Sequence, residues 1–183
     1  MNRFFHYVYI LIKPIICLLF PHRAVGLENV PEGGALLCGN HASAWDPIII
    51  AVCLPKDSRL AFMAKEQLFR IPLLRGIIAK LGAFPVKRGG SDLTAMKTAM
   101  KRLNEGGRLI IFPEGTRNSG EELTLLPFKD GAFEIATKSG CAIVPISMNN
   151  TAEIFENHLP KVKKTHVVIE YGKPIYPEEL DKD

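Results

Sequence analysis

Short apolar runs alternate with stretches of helical spacing along most of this chain, and that alternation restricts it to a sheet of largely parallel strands covered by helices. The runs are Ala35–Gly39, Arg59–Ala64, Ala83–Val86, Arg108–Phe112 and Ala142–Met148, with further extended segments at Ala24–Leu27 and His166–Tyr171. Between them lie Ile48–Leu54, Glu66–Leu81 (interrupted near Pro72), Ser91–Asn104 and Gly131–Ser139, which read as helices. In Ser91–Asn104, the apolar Leu93, Met96, Met100 and Leu103 fall on one face, Ser91 stands at the cap position, and Gly106-Gly107 stops the helix. A polar loop follows Phe112 to about Pro127. At 183 residues the chain fits a single α/β domain with a central mixed, largely parallel sheet flanked by helices. Residues 23–183 make that domain, and residues 1–22 an appended segment.

The appended segment is itself unusual. Phe4 to Phe20 is almost continuously apolar, interrupted by Lys13-Pro14 and flanked by Arg3, His22 and Arg23. It is short and broken for a spanning helix, which needs roughly 20 apolar residues. Leu18-Leu19-Phe20-Pro21 lacks the small residues of a signal-peptide cleavage site. The sequence predicts a helix or helical hairpin lying in the membrane interface with aromatic and basic anchors; the alternative is a helix packed on the domain's own core. The net charge of +4 suits an anionic membrane surface or an anionic small substrate. It does not point to nucleic acid, because no basic run is interleaved with aromatics. Cys17, Cys38, Cys53 and Cys141 stand in apolar runs without metal-ligand spacing, and read as buried free thiols in a reducing compartment.

Directly after Ala35–Gly39 comes Asn40-His41-Ala42-Ser43-Ala44-Trp45-Asp46-Pro47. An imidazole takes up a proton near neutral pH, and a carboxylate beside it fixes the tautomer and stabilises the imidazolium. Five positions along a helix would hold the two side chains apart, so a pair forms only if His41 lies in the loop leaving the strand and Asp46 at the mouth of the next helix. Asp46-Pro47 fits a helix start, with Asp46 as the cap and Pro47 in the first turn. The other reading is a capping aspartate beside an ordinary loop histidine. No Gly-x-Ser-x-Gly elbow surrounds Ser43, and no metal-ligand set is spaced around either histidine or cysteine. A base without a protein nucleophile suggests activation of a substrate hydroxyl toward an already activated partner such as a thioester. Backbone N–H groups near His41 are the expected oxyanion donors.

Two further segments suit an anion. Lys87-Arg88-Gly89-Gly90 puts two cations beside a glycine pair ahead of a helix. Phe112-Pro113-Glu114-Gly115-Thr116-Arg117 offers Thr116 as a donor and Arg117 as a bidentate phosphate ligand, with Glu114 placed to orient either. A structural Glu114–Arg117 ion pair is the bland alternative.

Together these motifs resemble the glycerolipid acyltransferases. The ordered set is Asn-His-x-Ser-x-x-Asp-Pro at Asn40–Pro47, Gly82–Arg88, Phe112–Arg117 and Ile143–Ile146, with family-like text at Gly26–Pro31, Ala64–Glu66 and Phe128–Ala132. The resemblance implies transfer of a fatty acyl group from acyl-CoA or acyl-acyl carrier protein, without cofactor or metal, to the sn-2 hydroxyl of lysophosphatidic acid. It assigns catalysis to His41 and Asp46, and acceptor phosphate binding to Arg88, Glu114, Gly115, Thr116 and Arg117. It places the chain on the cytoplasmic face of the cell membrane as a peripheral or monotopic protein. Another acceptor, such as glycerol-3-phosphate or a different lysolipid, and lipid hydrolysis are the competing activities.

Overall fold

A computed structural model describes residues 3–87, 92–119 and 124–179. Helix α1 (Arg3–Leu19) leads into β1 (His22–Val25) and β2 (Ala35–Gly39), followed by α2 (Asp46–Cys53), β3 (Leu60–Lys65), α3 (Pro72–Lys80), β4 (Ala83–Val86), α4 (Leu93–Asn104), β5 (Arg108–Ile111), α5 (Gly131–Ser139), β6 (Ala142–Asn149) and β7 (Val167–Tyr171). Among the described residues seven strands form one sheet in the order β1-β7-β6-β2-β5-β3-β4. Every neighbouring pair is parallel except β6–β7. The sheet is therefore mixed and mostly parallel, as the alternating pattern requires.

Alternation along each strand sends successive side chains to opposite faces. Leu37 and Ile110 enter a core that also holds Ile49 and Ile50 of α2 and Ile16 of α1. Leu36 and Leu109 enter a second core with Ala95, Ala99 and Leu103 of α4 and Ile135 of α5. Two layers of helices thus bury both faces of the central strands, which explains why β2 is an unbroken apolar run.

Local departures from the sequence reading have local causes. The first strand stops at Val25 because Gly26 is left-handed (φ 75°) and packed so closely that a Cβ there would stand 2.2 Å from the Tyr171 carbonyl oxygen; Leu27–Asn29 then forms a 3-10 turn. The break expected near Pro72 is present, with only a 3-10 turn at Glu66–Arg70 before it and α3 after it, since a proline starts a helix more readily than it continues one. Asp92 caps α4 by accepting from the Ala95 amide; the expected cap, Ser91, lies outside the described residues. Asp46 is the first residue of α2, not its cap, a position taken by Trp45.

The N-terminal segment forms one helix that runs through Pro14, not a hairpin. It touches the core at its end, where Ile16 is 4 % exposed and Phe20 2 %, with the Phe20 ring 5.3 Å from that of Trp45. Tyr7, Ile10, Leu11, Ile15 and Leu18 face outward. No described helix is long and apolar enough to cross a membrane. All four cysteines are free; Cys17 is exposed on α1 and the other three are half-buried, so the expectation of buried thiols fails for Cys17. A mixed helix face that is apolar on its outer side gives that side chain nothing to pack beneath.

Candidate active site

Because β2, β3, β4, β5 and β6 run parallel, the loops leaving their C-terminal ends share one edge of the sheet, where sites of open α/β sheets form. β2 and β5 are direct neighbours, with Cys38 opposite Ile111. The segment carrying His41 and the segment carrying Phe112–Arg117 therefore lie side by side, despite their separation in sequence. The strand that ends at Val86, ahead of Lys87, stands three positions from β2, about 14 Å at ordinary strand spacing.

His41 lies in the loop and Asp46 at the mouth of α2. The imidazole Nδ1 and the Asp46 Oδ2 are 2.8 Å apart, and Asp46 is fully buried. The same Oδ2 accepts the amides of Ala42 and Ser43, each at 2.9 Å. The loop thus folds back on the carboxylate, which holds the imidazole and begins the helix at once. On its other side the His41 ring stacks on Phe112, with centroids 4.1 Å apart and planes 15° from parallel. An Nδ1–H donated to Asp46 leaves the Nε2 lone pair for chemistry.

Glu114 is 2 % exposed and does not orient Thr116 or Arg117. Its Oε1 accepts the His41 amide at 2.9 Å and its Oε2 the Leu126 amide at 3.0 Å. It is a clamp between loops. Gly115 is left-handed (φ 68°), and a Cβ there would stand 2.9 Å from the last atoms of the Lys129 side chain. Thr116 and Arg117 line the same cleft as His41. Arg117 pairs with Glu156, not Glu114, at 3.3 Å. Arg88 lies outside the described residues; the Lys87 amide before it donates to Asp92 at 2.9 Å.

Sequence reasoning missed Glu156. It follows β6 on a 3-10 turn, Glu156–His158, and reaches the shared edge because β6 is parallel to β2. Its Oε2 accepts the Ser43 hydroxyl at 2.8 Å, and its Oε1 accepts the Ala44 amide at 2.7 Å together with Arg117. A lone glutamate in a polar segment carries no pattern that marks it. Only the topology reveals the link.

These bonds also answer the oxyanion question for the loop. The amides of His41, Ala42, Ser43, Ala44, Trp45 and Asp46 all donate within the protein, to Glu114, Asp46, Asp46, Glu156, the Ser43 hydroxyl and the Ser43 carbonyl in turn. None is free to receive a new oxyanion without breaking a bond.

The cleft has a volume of about 1840 Å³. Met63, Leu68, Val86 and Met96 give it an apolar stretch, while Lys65, Lys87, Arg117 and Lys129 supply cations to its lining. Burial pushes the Cys38 and Cys53 thiols up to about 12, which keeps both protonated and unreactive near neutral pH. Among the described residues no group of histidine, cysteine and carboxylate side chains is gathered as a metal site. The arrangement is a base–carboxylate pair whose histidine lines a cleft that Arg117 also lines.

Known proteins share sequence and fold with this chain. A family model described as "Acyltransferase" matches residues 22–149. The chain is 30% identical over 171 residues to the 1-acyl-sn-glycerol-3-phosphate acyltransferase of Bacillus subtilis, covering 92% of this chain and 81% of that one. It is 29% identical over 164 residues to the yeast (Saccharomyces cerevisiae) protein of the same name, covering 88% and 54%, and 35% identical over 133 residues to that of Borreliella burgdorferi, covering 71% and 52%. The chain spans about half the length of the yeast and Borreliella burgdorferi relatives. The crystal structure of the 1-acyl-sn-glycerophosphate (LPA) acyltransferase PlsC from Thermotoga maritima shares the fold, with a TM-score of 0.75 at 24% identity, over 98% of this chain and 73% of that one.

Proposed function

The chain belongs to the acyltransferase family, and on that premise we propose that it moves a fatty acyl group from an acyl thioester to the sn-2 hydroxyl of 1-acyl-glycerol-3-phosphate, forming phosphatidic acid. The observation that carries this reading is the 2.8 Å contact between His41 Nδ1 and the buried Asp46, with His41 lining a cleft that Arg117 also lines. His41 Nε2 takes the proton of the sn-2 hydroxyl as that oxygen attacks the thioester carbonyl, giving a tetrahedral oxyanion and an imidazolium held by Asp46. The oxyanion collapses, the C–S bond breaks, and the departing sulfur leaves as the thiol with the proton from His41. No bond to the protein forms. General base catalysis contributes roughly 10²–10⁴-fold, so placing the two substrates supplies much of the remaining rate.

Arg117, with Thr116 and with Arg88 from the Lys87-Arg88-Gly89-Gly90 segment, binds the acceptor's phosphate and so sets the hydroxyl against His41. Gly115 leaves room for Lys129, and Glu114 acts through the position of His41. The apolar stretch of the cleft takes an acyl chain. The donor is acyl-CoA or acyl-acyl carrier protein, with no further cofactor. The outward apolar side of α1 lies in the cytoplasmic leaflet surface, so the acceptor reaches the cleft from the bilayer at little desolvation cost.

One assay tests the reading: a labelled acyl thioester offered with 1-acyl-glycerol-3-phosphate, glycerol-3-phosphate and a neutral lysolipid in turn. Labelled phosphatidic acid from the first acceptor is the expected product. Preferred acylation of glycerol-3-phosphate, or free fatty acid in place of an acylated lipid, would replace the reading with another acceptor or with a hydrolase.

A further inference from the structure

Helix α3 and the 3-10 turn before it are exposed in a way the domain's own packing does not explain. None of the residues of α3 is buried. Leu68, Ile71, Leu73 and Ile77 are all exposed, Leu73 by 79 %. A helix of nine residues draws its stability from an apolar face packed on something. Leu73 and Ile77 point away from the protein, while Leu74 and Ile78 on the adjoining face are half-buried against it. The cations of the turn and helix are Arg70, which pairs loosely with Glu66 at 3.6 Å, Arg75, and Lys80 in the last turn.

The topology places this surface. β2-α2-β3 and β3-α3-β4 are parallel crossovers that step in the same direction along the sheet, from β2 across β5 to β3 and on to β4. Both are right-handed by the general rule, so α2 and α3 cover the same face, and the β4-α4-β5 crossover, stepping back, puts α4 on the other. α1 packs with α2 in the first of the two cores, while α4 and α5 belong to the second. The exposed apolar side chains of α1, Ile48 of α2 and those of α3 therefore lie on one side of the molecule. Leu68, in the turn leading to α3, also lines the cleft.

We propose that α3 with its preceding turn is a second membrane contact, seated in an anionic leaflet through Ile71, Leu73 and Ile77, with Arg70 and Arg75 on lipid phosphates. The charge is what selects this occupant: Glu66–Lys80 carries three cations, Arg70, Arg75 and Lys80, against one carboxylate, which complements an anionic lipid surface. Contact at both α1 and α3 fixes the tilt of the sheet against the bilayer, and Leu68 brings the cleft to the lipid at that point. This rests on the proposed reading that the acceptor is a bilayer lipid, but its test does not depend on turnover.

The full chain is sedimented with vesicles of phosphatidylcholine alone and of phosphatidylcholine with phosphatidylglycerol. Leu73→Ser with Ile77→Ser should weaken partition into the mixed vesicles by about tenfold. Arg70→Gln with Arg75→Gln should weaken it on the anionic vesicles and leave the phosphatidylcholine result unchanged. An environment-sensitive dye on Leu73→Cys, in a Cys17→Ser background, should shift to the blue when anionic vesicles are added. Acylation of a short-chain, monodisperse acceptor should be unchanged in the serine variant; a wild-type chain inactive on that acceptor would count against the proposed function and leave the vesicle result to decide this proposal. Vesicle binding equal to wild type in both variants, or no dye shift, overturns it. So does loss of binding to an acidic acyl carrier protein in lipid-free solution with vesicle binding retained, which would make α3 a protein-docking surface.

Discussion

The amide of His41 donates to Oε1 of Glu114 at 2.9 Å across 73 residues of sequence, and through that bond the loop after β5 fixes the backbone of the residue that carries the chemistry. Glu114 spends its other oxygen on the Leu126 amide, so a buried carboxylate holds two strand-end loops together. Removing one acceptor from a buried pair of this kind costs about 1–3 kcal/mol. Glu114→Gln keeps the shape but replaces one accepting oxygen by a donating NH₂ group. We expect it to lower thermal stability by an amount of that order and to reduce kcat, with the KM for the acceptor nearly unchanged. A rise in KM with kcat preserved would return Glu114 to a direct part in phosphate binding.

His41→Ala should reduce phosphatidic acid formation at saturating substrates by roughly 10²–10⁴-fold, the range for loss of a general base. The chain should fold, because the side chain of His41 is replaced beside Phe112 without removing the loop's amide bonds to Asp46 and Glu114. Asp46→Asn is the sharper variant. It keeps an oxygen for the Ala42 and Ser43 amides but removes the charge beside the imidazole, so kcat should fall while acceptor binding, measured by equilibrium dialysis of a labelled lysolipid, stays near wild type. Turnover close to wild type in either variant would remove the pair from the mechanism.

Arg117 is 54 % exposed and shares Oε1 of Glu156 with the Ala44 amide. A hydrogen bond to a charged group is worth about 1.5–3 kcal/mol, so Arg117→Ala should raise the KM for a phosphorylated acceptor by roughly 10–100-fold and leave that for a neutral lysolipid little changed. Glu156→Ala should act differently: it unties Ser43 and Ala44 as well, and kcat should fall. Glu156→Gln, which can still accept from the Ala44 amide, should recover part of that loss. Equal kinetics in the alanine and glutamine variants would mean that Glu156 only shields Arg117.

The contrast between these residues shows what a sequence carries and what it leaves out. β2 and β5 were legible because both are continuous apolar runs, and once they are neighbours their loops must meet. His41 and Asp46 were legible as alternatives, a dyad or a helix start, and the fold makes them both: Asp46 opens α2 while holding the imidazole. Glu114 was found but given the wrong neighbours, since a loop sequence does not say whether a carboxylate points outward to Arg117 or inward to amides. Glu156 was invisible, because its partners are Ser43, Ala44 and Arg117, and nothing near it in sequence hints at them. The register of side chains in loops is set by tertiary hydrogen bonds, and those are not periodic.

Asp92 gives a prediction in which pH decides. Its carboxyl is held below the usual carboxylate range, first by the Lys87 amide and then by the Ala95 amide, bonds of 2.9 and 3.0 Å. It therefore caps α4 and fastens the end of the Lys87-bearing segment with one group. A carboxyl with a lowered folded pKa adds stability above its unfolded pKa, and that stability is lost as the pH falls through the folded value. Asp92→Ala should accordingly cost about 1 kcal/mol at pH 7, the usual worth of an N-cap. The gap from wild type in urea midpoint should narrow as the pH drops below about 4, where an unperturbed aspartate takes up its proton. Because the same bonds hold the Lys87 amide, the variant should also raise the KM for the phosphorylated acceptor at neutral pH. A stability gap that stays constant down to pH 2.5 would show that the ionised carboxylate is not what the two amides require.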